Sequence, residues 1–201
     1  MGQKILFVGG SPCSGKSTVA ERMAKEYAAY YFKVDDFLDE WIGMAADKGY
    51  PACKRSAGMT PDEMWMREPL IQCKEEFLIY DEISEFLFAR LGETDHDFIV
   101  TEGAAYTPGV MKKYMPKNYI SMVPTPEFQV SHYRQREWVP YVLEGCSDKE
   151  RAFDNWMKRD ILFAEQVKEE CGENGIPCIV NDGKRTEDEL FCTVRELFAL
   201  T

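Results

Sequence analysis

The run Gly10-Ser11-Pro12-Cys13-Ser14-Gly15-Lys16-Ser17-Thr18 carries the groups that phosphate chemistry needs. Glycine at the first and sixth places lets successive backbone N–H groups turn onto phosphate oxygens where a Cβ would collide. Lys16 is a cation long enough to reach the outer phosphates of a nucleoside triphosphate, and Ser17 offers a hydroxyl to Mg²⁺. The spacing G-x-x-x-x-G-K-[ST] follows an apolar run, Lys4 to Val8, and precedes a stretch of helical periodicity. The loop therefore opens a helix, whose unpaired N–H groups and dipole favour an anion. Gly10, Ser11, Cys13, Ser14, Gly15, Lys16, Ser17 and Thr18 are the candidate contacts to ATP, with Mg²⁺ as the accompanying ion. Cys13 occupies a free position of the pattern and reads as a small filler, not a nucleophile.

Those groups need elements to hold them. Lys4–Val8 reads as a buried strand, and Val19, Met23 and Tyr27 recur at helical spacing after Lys16. Residues 29–34 are aromatic and β-branched, a second strand ending at Asp35-Asp36. Residues 37–59 read as loop with short helix. Thr60-Pro61-Asp62-Glu63 is a capped helix start, and Pro69 bends or restarts that helix, which runs to Gly92. Strands are expected at 97–103, 119–123 and 178–182. A helix follows Thr125-Pro126 and breaks before Pro140. A capping box at Ser147–Glu150 opens a long helix that stops near Gly172. A last helix, capped by Thr186 and Glu189, carries Leu190, Val194 and Leu197 on its inner face.

Short apolar strands alternating with helices predict an α/β chain: a three-layer, doubly wound, five-stranded parallel sheet with helices on both faces and a small helical lid. In such sheets the ligand crevice lies beyond the carboxyl ends of the strands. The polar strand ends Gly9-Gly10, Asp35-Asp36, Glu102-Gly103, Pro124-Thr125 and Asn181-Asp182 are therefore expected on one rim.

The loop motif, placed between strand and helix, resembles the P-loop kinases of nucleosides, nucleotides and other small molecules. The element order of the whole chain fits the same group, but only the loop is specific. The resemblance implies ATP with Mg²⁺, transfer of the γ-phosphoryl group, an acceptor-binding insertion at 37–91 and a lid at 132–160 within one domain, 1–201. It implies an acid after the second strand that takes the acceptor hydroxyl's proton: Asp35, with Asp36 as a second candidate that could instead order a metal-bound water or cap a helix. Glu102 matches the place of the acid that assists Mg²⁺ or binds substrate. Arg134 and Arg136 are the lid arginines expected to neutralise the transferring phosphoryl group, with Arg151 and Arg159 behind them. Asp182 and Arg185 lie where the group wraps adenine. Arg55 and Arg67 are the best candidates for grip on the acceptor. There is no guanine-specificity N-K-x-D and no L-S-G-G-Q signature. A monophosphate kinase, or a nucleotide-binding regulatory ATPase without an acceptor, are the alternative readings.

Composition narrows the partners. The formal net charge of −11 opposes non-specific binding to nucleic acid or an anionic membrane, while leaving room for a small anion in a local positive pocket. Seven scattered cysteines without C-x-x-C pairs fit a reducing compartment, so a cytoplasmic location is expected. The partner implied is a small-molecule phosphoryl acceptor.

Overall fold

In the computed structural model, which describes residues 3–200, five strands form one all-parallel sheet. In chain order the elements are β1 (Lys4–Gly10), α1 (Lys16–Glu26), β2 (Tyr30–Lys33), a 3₁₀ turn (Val34–Phe37), α2 (Leu38–Asp47), α3 (Pro51–Ala57), α4 (Pro61–Trp65) and α5 (Pro69–Gly92). There follow β3 (Phe98–Glu102), α6 (Pro108–Tyr114), β4 (Tyr119–Pro124), α7 (Pro126–Tyr133), α8 (Val139–Val142), α9 (Lys149–Asn174), β5 (Cys178–Asn181) and α10 (Glu187–Leu197). The strand order is β2-β3-β1-β4-β5. From β1 the chain runs to the edge strand β2, returns to β3 beside β1, then crosses to β4 and β5 on the other side, and all five parallel strands end on the same rim.

Strand periodicity decides which layer each side chain joins. Leu6 and Val8 pack with Val19, Met23, Leu190, Phe191 and Val194 beneath α1 and α10. Phe7 points the other way, into the core shared with Ile83, Leu87, Phe163 and Val167 of α5 and α9. Because the central strands are covered on both sides, they read as continuous apolar runs. A third apolar cluster joins α4 to α7, α8 and α9: the Trp65 and Trp156 rings tilt against each other with centroids 4.9 Å apart, and Tyr133 meets Trp156 at 5.1 Å. No described helix is long and apolar enough to cross a membrane.

Several local expectations need correction. Residues 38–57 are mostly helical, α2 and α3, because Trp41, Ala45, Ala52 and Cys53 fill the layer over Phe32 and α5. Helix α7 ends at Tyr133, well short of Pro140, which instead starts α8. Asp148, not Ser147, caps α9, its side chain accepting from Arg151 N, and no capping box forms. The same helix passes through Gly172 and stops at Gly175, whose φ of 65° makes the left-handed turn. Leu197 is exposed; Phe191 and Phe198 take the inner face of α10. Helix α6, capped by Thr107, was not anticipated from the pattern. The other boundaries match the expectation to within about two residues.

One glycine sets how closely the β2 end approaches β3. A Cβ on Gly103 would sit 2.5 Å from Val34 Cβ and 2.9 and 3.0 Å from its methyl groups. Val34 is fully buried and immediately precedes Asp35, so it cannot retreat without moving the turn. Gly103→Ala should therefore lower stability by about 1–3 kcal/mol through overpacking. A urea midpoint unchanged from wild type would show that the turn adjusts freely.

Candidate active site

The loop after β1 is shaped for an anion by backbone constraints. Gly10 takes a φ of 117°, and a Cβ there would fall 1.9 Å from Met122 O, so only glycine lets the chain pass β4. Ser11 N donates to that same carbonyl at 3.0 Å. Gly15, at φ 88°, precedes α1 without any side-chain cap, which leaves the first amides of the helix open. The Ser11 and Ser14 hydroxyls are buried and have no hydrogen-bond partner. Buried polar groups are normally paired. Open amides and orphaned hydroxyls gathered at a helix N-terminus make a receptor for phosphate oxygens.

Lys16 and Glu102 face each other beneath this loop. Lys16 Nζ is buried, 3.5 Å from Ser11 O and 3.9 Å from Glu102 Oε2. Glu102 is a fully buried acid at the end of β3, not a surface one. Its Oε1 accepts from Tyr31 OH at 3.0 Å, while Oε2 has no hydrogen-bond partner. Burial, then the Glu102 charge, pushes the Tyr31 phenol well up, so it stays a donor. An orphaned carboxylate oxygen and the Ser17 hydroxyl supply the hard oxygen donors that a magnesium ion prefers.

The cleft over Lys16 has a volume of about 350 Å³. Asp35 lines it from the 3₁₀ turn after β2, exposed and in no ion pair among the described residues. Asp36, also exposed, lies 3.7 Å from Lys33 Nζ and does not line the cleft. The structure thus separates the two neighbouring acids by what each faces.

It separates the lid arginines too. Arg136 lines the cleft, held against the rings of Tyr133 (5.1 Å) and Trp138 (5.4 Å), with Nη2 3.8 Å from Cys13 Sγ. Burial raises the Cys13 thiol, against the lowering influence of Arg136, so Cys13 is not an activated nucleophile. Arg134 is exposed, over the Phe153 ring and 3.8 Å from Asp154, away from the cleft. Arg151 is exposed. Arg159 is the cation at the cleft's far wall, paired with Glu76 at 2.8 Å and Asp160 at 2.6 Å. Burial opposes its charge, yet Asp160 and Glu76 hold it above the ordinary arginine value.

Two further cavities share walls with this cleft. On one side, Cys13, Gly15, Thr18 and Arg136 also border a slot of about 200 Å³ between Phe128, His132, Arg185 and Leu190. Asn181 ties that slot to the loop, its Nδ2 donating to Ser14 O at 3.1 Å and its Oδ1 accepting from Gly183 N at 3.0 Å. A Cβ on Gly183 would meet the Phe128 ring at 2.4 Å. Of the two residues expected here, Arg185 lines the slot and donates to Val180 O, while Asp182 pairs with Lys184 and does not line it. On the other side, Leu38, Glu76, Tyr80 and Arg159 border a cavity of about 510 Å³ reaching under Trp65 and Arg67. Arg67 lines this cavity and Arg55 does not, but both guanidiniums converge on one buried carboxylate, Glu75. A shallow hollow of about 550 Å³ between α5, α6 and α9 shares no residue with these three and contains none of the loop chemistry.

Slot, cleft and cavity therefore form a continuous trough along the strand ends. Glu76, Tyr80, Tyr133, Trp138, Trp156, Phe128 and His132 line it without having been singled out in the sequence. The signal for the first two was present. Gln72, Glu75, Glu76, Ile79 and Tyr80 follow i, i+3, i+4, i+7, i+8 spacing, which is the inward stripe of α5, and polar residues on such a stripe mark a buried polar site. The lid aromatics carried no such mark.

No protein-family model matches the chain, and no curated protein matches it in sequence. Its fold does have solved counterparts. A shikimate kinase from Bacteroides thetaiotaomicron superposes with a TM-score of 0.52 at 15% identity, covering 98% of this chain and 99% of that one. A shikimate kinase from Acinetobacter baumannii, solved in complex with shikimate, gives 0.54 at 10% identity, covering 98% and 93%. At such identities the likeness establishes the fold alone, shared with these two structures over 98% of the chain.

The buried cluster at the far wall makes its own prediction. Burial raises the Asp160 carboxyl to about 6, with Glu76 adding to the rise and Arg159 and Tyr133 opposing it. The folded state thus binds this proton more tightly than the unfolded chain, whose aspartates titrate near ~3.9. The stabilisation is fully present below about pH 4 and lost as pH rises through about 6. The difference in unfolding free energy between wild type and Asp160→Asn should decline across that window by roughly 2–3 kcal/mol. A pH-independent difference would mean that Asp160 titrates normally.

Proposed function

We propose that this chain is an ATP- and Mg²⁺-dependent kinase that transfers the γ-phosphoryl group to a hydroxyl of a small molecule. The observation that carries the reading is the continuous trough: Lys16 and an unpaired Asp35 line one cleft, with a ring-sized slot on one side and a second cavity on the other. Pockets that share a wall place two reactants end to end, which turns a bimolecular encounter into an oriented one.

The steps follow from the residues. The open amides of the loop and of α1 hold the β- and γ-phosphates, with Gly10, Ser11, Cys13, Ser14, Gly15 and Thr18 forming the cradle. Lys16 turns from Glu102 toward the transferring group. Ser17 and Glu102 would hold Mg²⁺, which would supply positive charge to the triphosphate. Phe128, His132 and Arg185 provide flat surfaces for the base. The acceptor hydroxyl enters from the cavity beside Asp35, which takes its proton as the oxygen attacks phosphorus in line. A carboxylate in no ion pair is free to accept that proton, and this favours Asp35 over Asp36. Arg136 stabilises charge on the phosphoryl group, while the aromatic lid that carries it excludes water and so suppresses wasteful ATP hydrolysis.

The monophosphate-kinase alternative asks for two arginines converging on an acceptor phosphate. Arg55 and Arg67 do converge, but on Glu75, which neutralises part of their charge and weighs against that alternative. The regulatory-ATPase alternative asks for no open space beside Asp35, and the 510 Å³ cavity sharing Leu38 and Tyr80 with the cleft argues against it.

The test is ADP release from Mg·ATP across pools of hydroxyl-bearing metabolites. One or more pools should stimulate the wild type. Lys16→Ala should lose a hundredfold to a thousandfold, on the order of what a transition-state charge contact provides. Asp35→Asn should lose on the order of a hundredfold or more in kcat with little change in the KM for ATP. ATP binding without stimulation by any pool would overturn the kinase reading; full activity of Asp35→Asn would overturn the base assignment. A second comparison separates the lid arginines: Arg136→Met should depress kcat by on the order of a hundredfold, and Arg134→Met should change it by less than about twofold. The reverse ranking would remove Arg136 from the transfer step.

A further inference from the structure

The 510 Å³ cavity is lined by Arg67 and Arg159, and each guanidinium is engaged in an ion pair, although Arg67 Nε is buried without a hydrogen-bond partner among the described residues. Arg67 sits on Glu75, whose other oxygen takes Arg55. Arg159 is engaged by Glu76 and by Asp160. Three guanidiniums thus meet three carboxylates. Glu75 is 5% exposed and Asp160 1%, so neither acid can swing into water to release its partner. One further acid on the cavity wall, Asp39, is in no ion pair among the described residues, while in the adjoining cleft the charge of Asp35 is offset by that of Arg136. The cavity and its partners therefore carry an excess of one negative charge.

We propose, on the basis of the kinase reading above, that Glu75 is a specificity-determining residue: held on Arg55 and Arg67, it makes the cavity reject anionic acceptors and select neutral or amine-bearing hydroxyl compounds. An acceptor carboxylate or phosphate could be gripped here only by taking a guanidinium away from a buried acid. That exchange takes an ion pair from a buried acid and gains no net ion pair. A hydroxyl or an ammonium meets no such obstacle: Glu76 and Asp39 accept hydrogen bonds, and Trp65 and Tyr80 offer ring surfaces to a carbon skeleton. The selectivity comes from what is already paired, and it is the reverse of what a count of arginines in the cavity suggests.

The experiment uses matched acceptors on one polyhydroxylated ring, bearing a carboxylate, no charge, or an amine. Each is assayed twice with the full chain: for binding in the absence of ATP, by titrating the indole NMR signal of Trp65, and for phosphorylation with Mg·ATP. The neutral and amine compounds should perturb Trp65 and be phosphorylated. The carboxylate twin should be poorer in both by on the order of a hundredfold. Glu75→Gln, which releases Arg55 and Arg67, should narrow or invert that ratio. If this variant unfolds, Glu75→Gln with Arg55→Gln restores the charge count and serves in its place, narrowing the ratio less.

The two readings fail differently. Binding of the neutral or amine compounds without phosphorylation would remove the kinase reading and leave the selectivity standing. Phosphorylation of the carboxylate twin within about tenfold of the neutral one would overturn the selectivity and leave the kinase. A carboxylate that binds Trp65 as tightly as its twins, or a panel in which no neutral or amine compound binds at all, also overturns the proposal.

Discussion

A lysine ammonium and a glutamate carboxylate, both buried at the strand ends, face each other 3.9 Å apart without a hydrogen bond between them. Taking two charges out of water is costly, and attraction at this separation repays it only in part. The pair is held in place by the sheet. Glu102 ends β3, Lys16 opens α1 directly above the β1 loop, and the parallel register sets Val8 beside Glu102. What the protein maintains there is an incomplete site. Lys16 Nζ reaches Glu102 only at 3.9 Å, Glu102 Oε2 has no hydrogen-bond donor, and the Ser11 and Ser14 hydroxyls have no hydrogen-bond partner among the described residues. On the proposed reading, a triphosphate with its magnesium would supply each of these partners at once.

The remainder of the trough follows from how the surrounding charges are distributed. Charge that must act on the phosphoryl group is left available: Asp35 is in no ion pair, and Arg136 is steadied by ring faces and a thiol with no carboxylate against it. Charge that only shapes the acceptor side is locked in buried pairs along α5 and α9. The 37–91 and 132–160 regions are not independent pieces, because the rings of Trp65 in α4 and Trp156 in α9 meet within one apolar cluster. On the proposed reading, closing a lid over nucleotide and shaping the acceptor cavity would draw on the same contacts.

Much of this was legible in the sequence wherever one residue type is demanded by one geometry. Glycine at 10 and 15, the lysine after it, and short apolar strands ending in polar residues specify the loop, the sheet and its rim without help from tertiary contacts. The legible part ends where meaning depends on partners. Asp35 and Asp36 are chemically identical and adjacent, and only the course of the 3₁₀ turn tells which one faces the cleft. Arg134 and Arg136 are distinguished by a helix that ends at Tyr133, since the change of backbone course turns one toward Asp154 and the other toward Cys13. Arg55 and Arg67 read as free cations until Glu75, eight residues beyond Arg67 on α5, is seen between them. The helices over 38–57 were obscured because their apolar faces are short and interrupted by glycine, so packing against Phe32 and α5 decides them more than propensity does.

The most direct measurement is a crystal structure with Mg²⁺ and a non-hydrolysable ATP analogue. The account predicts the triphosphate along residues 10–18, Lys16 Nζ moved from Glu102 onto the outer phosphates, the base between Phe128 and Arg185, and the Asp35 carboxylate facing the γ-phosphorus across a gap that a hydroxyl oxygen fills. A nucleotide bound elsewhere, or one seated on the loop with Asp35 turned out of the cleft and the acceptor cavity sealed from the γ-phosphate, would contradict it.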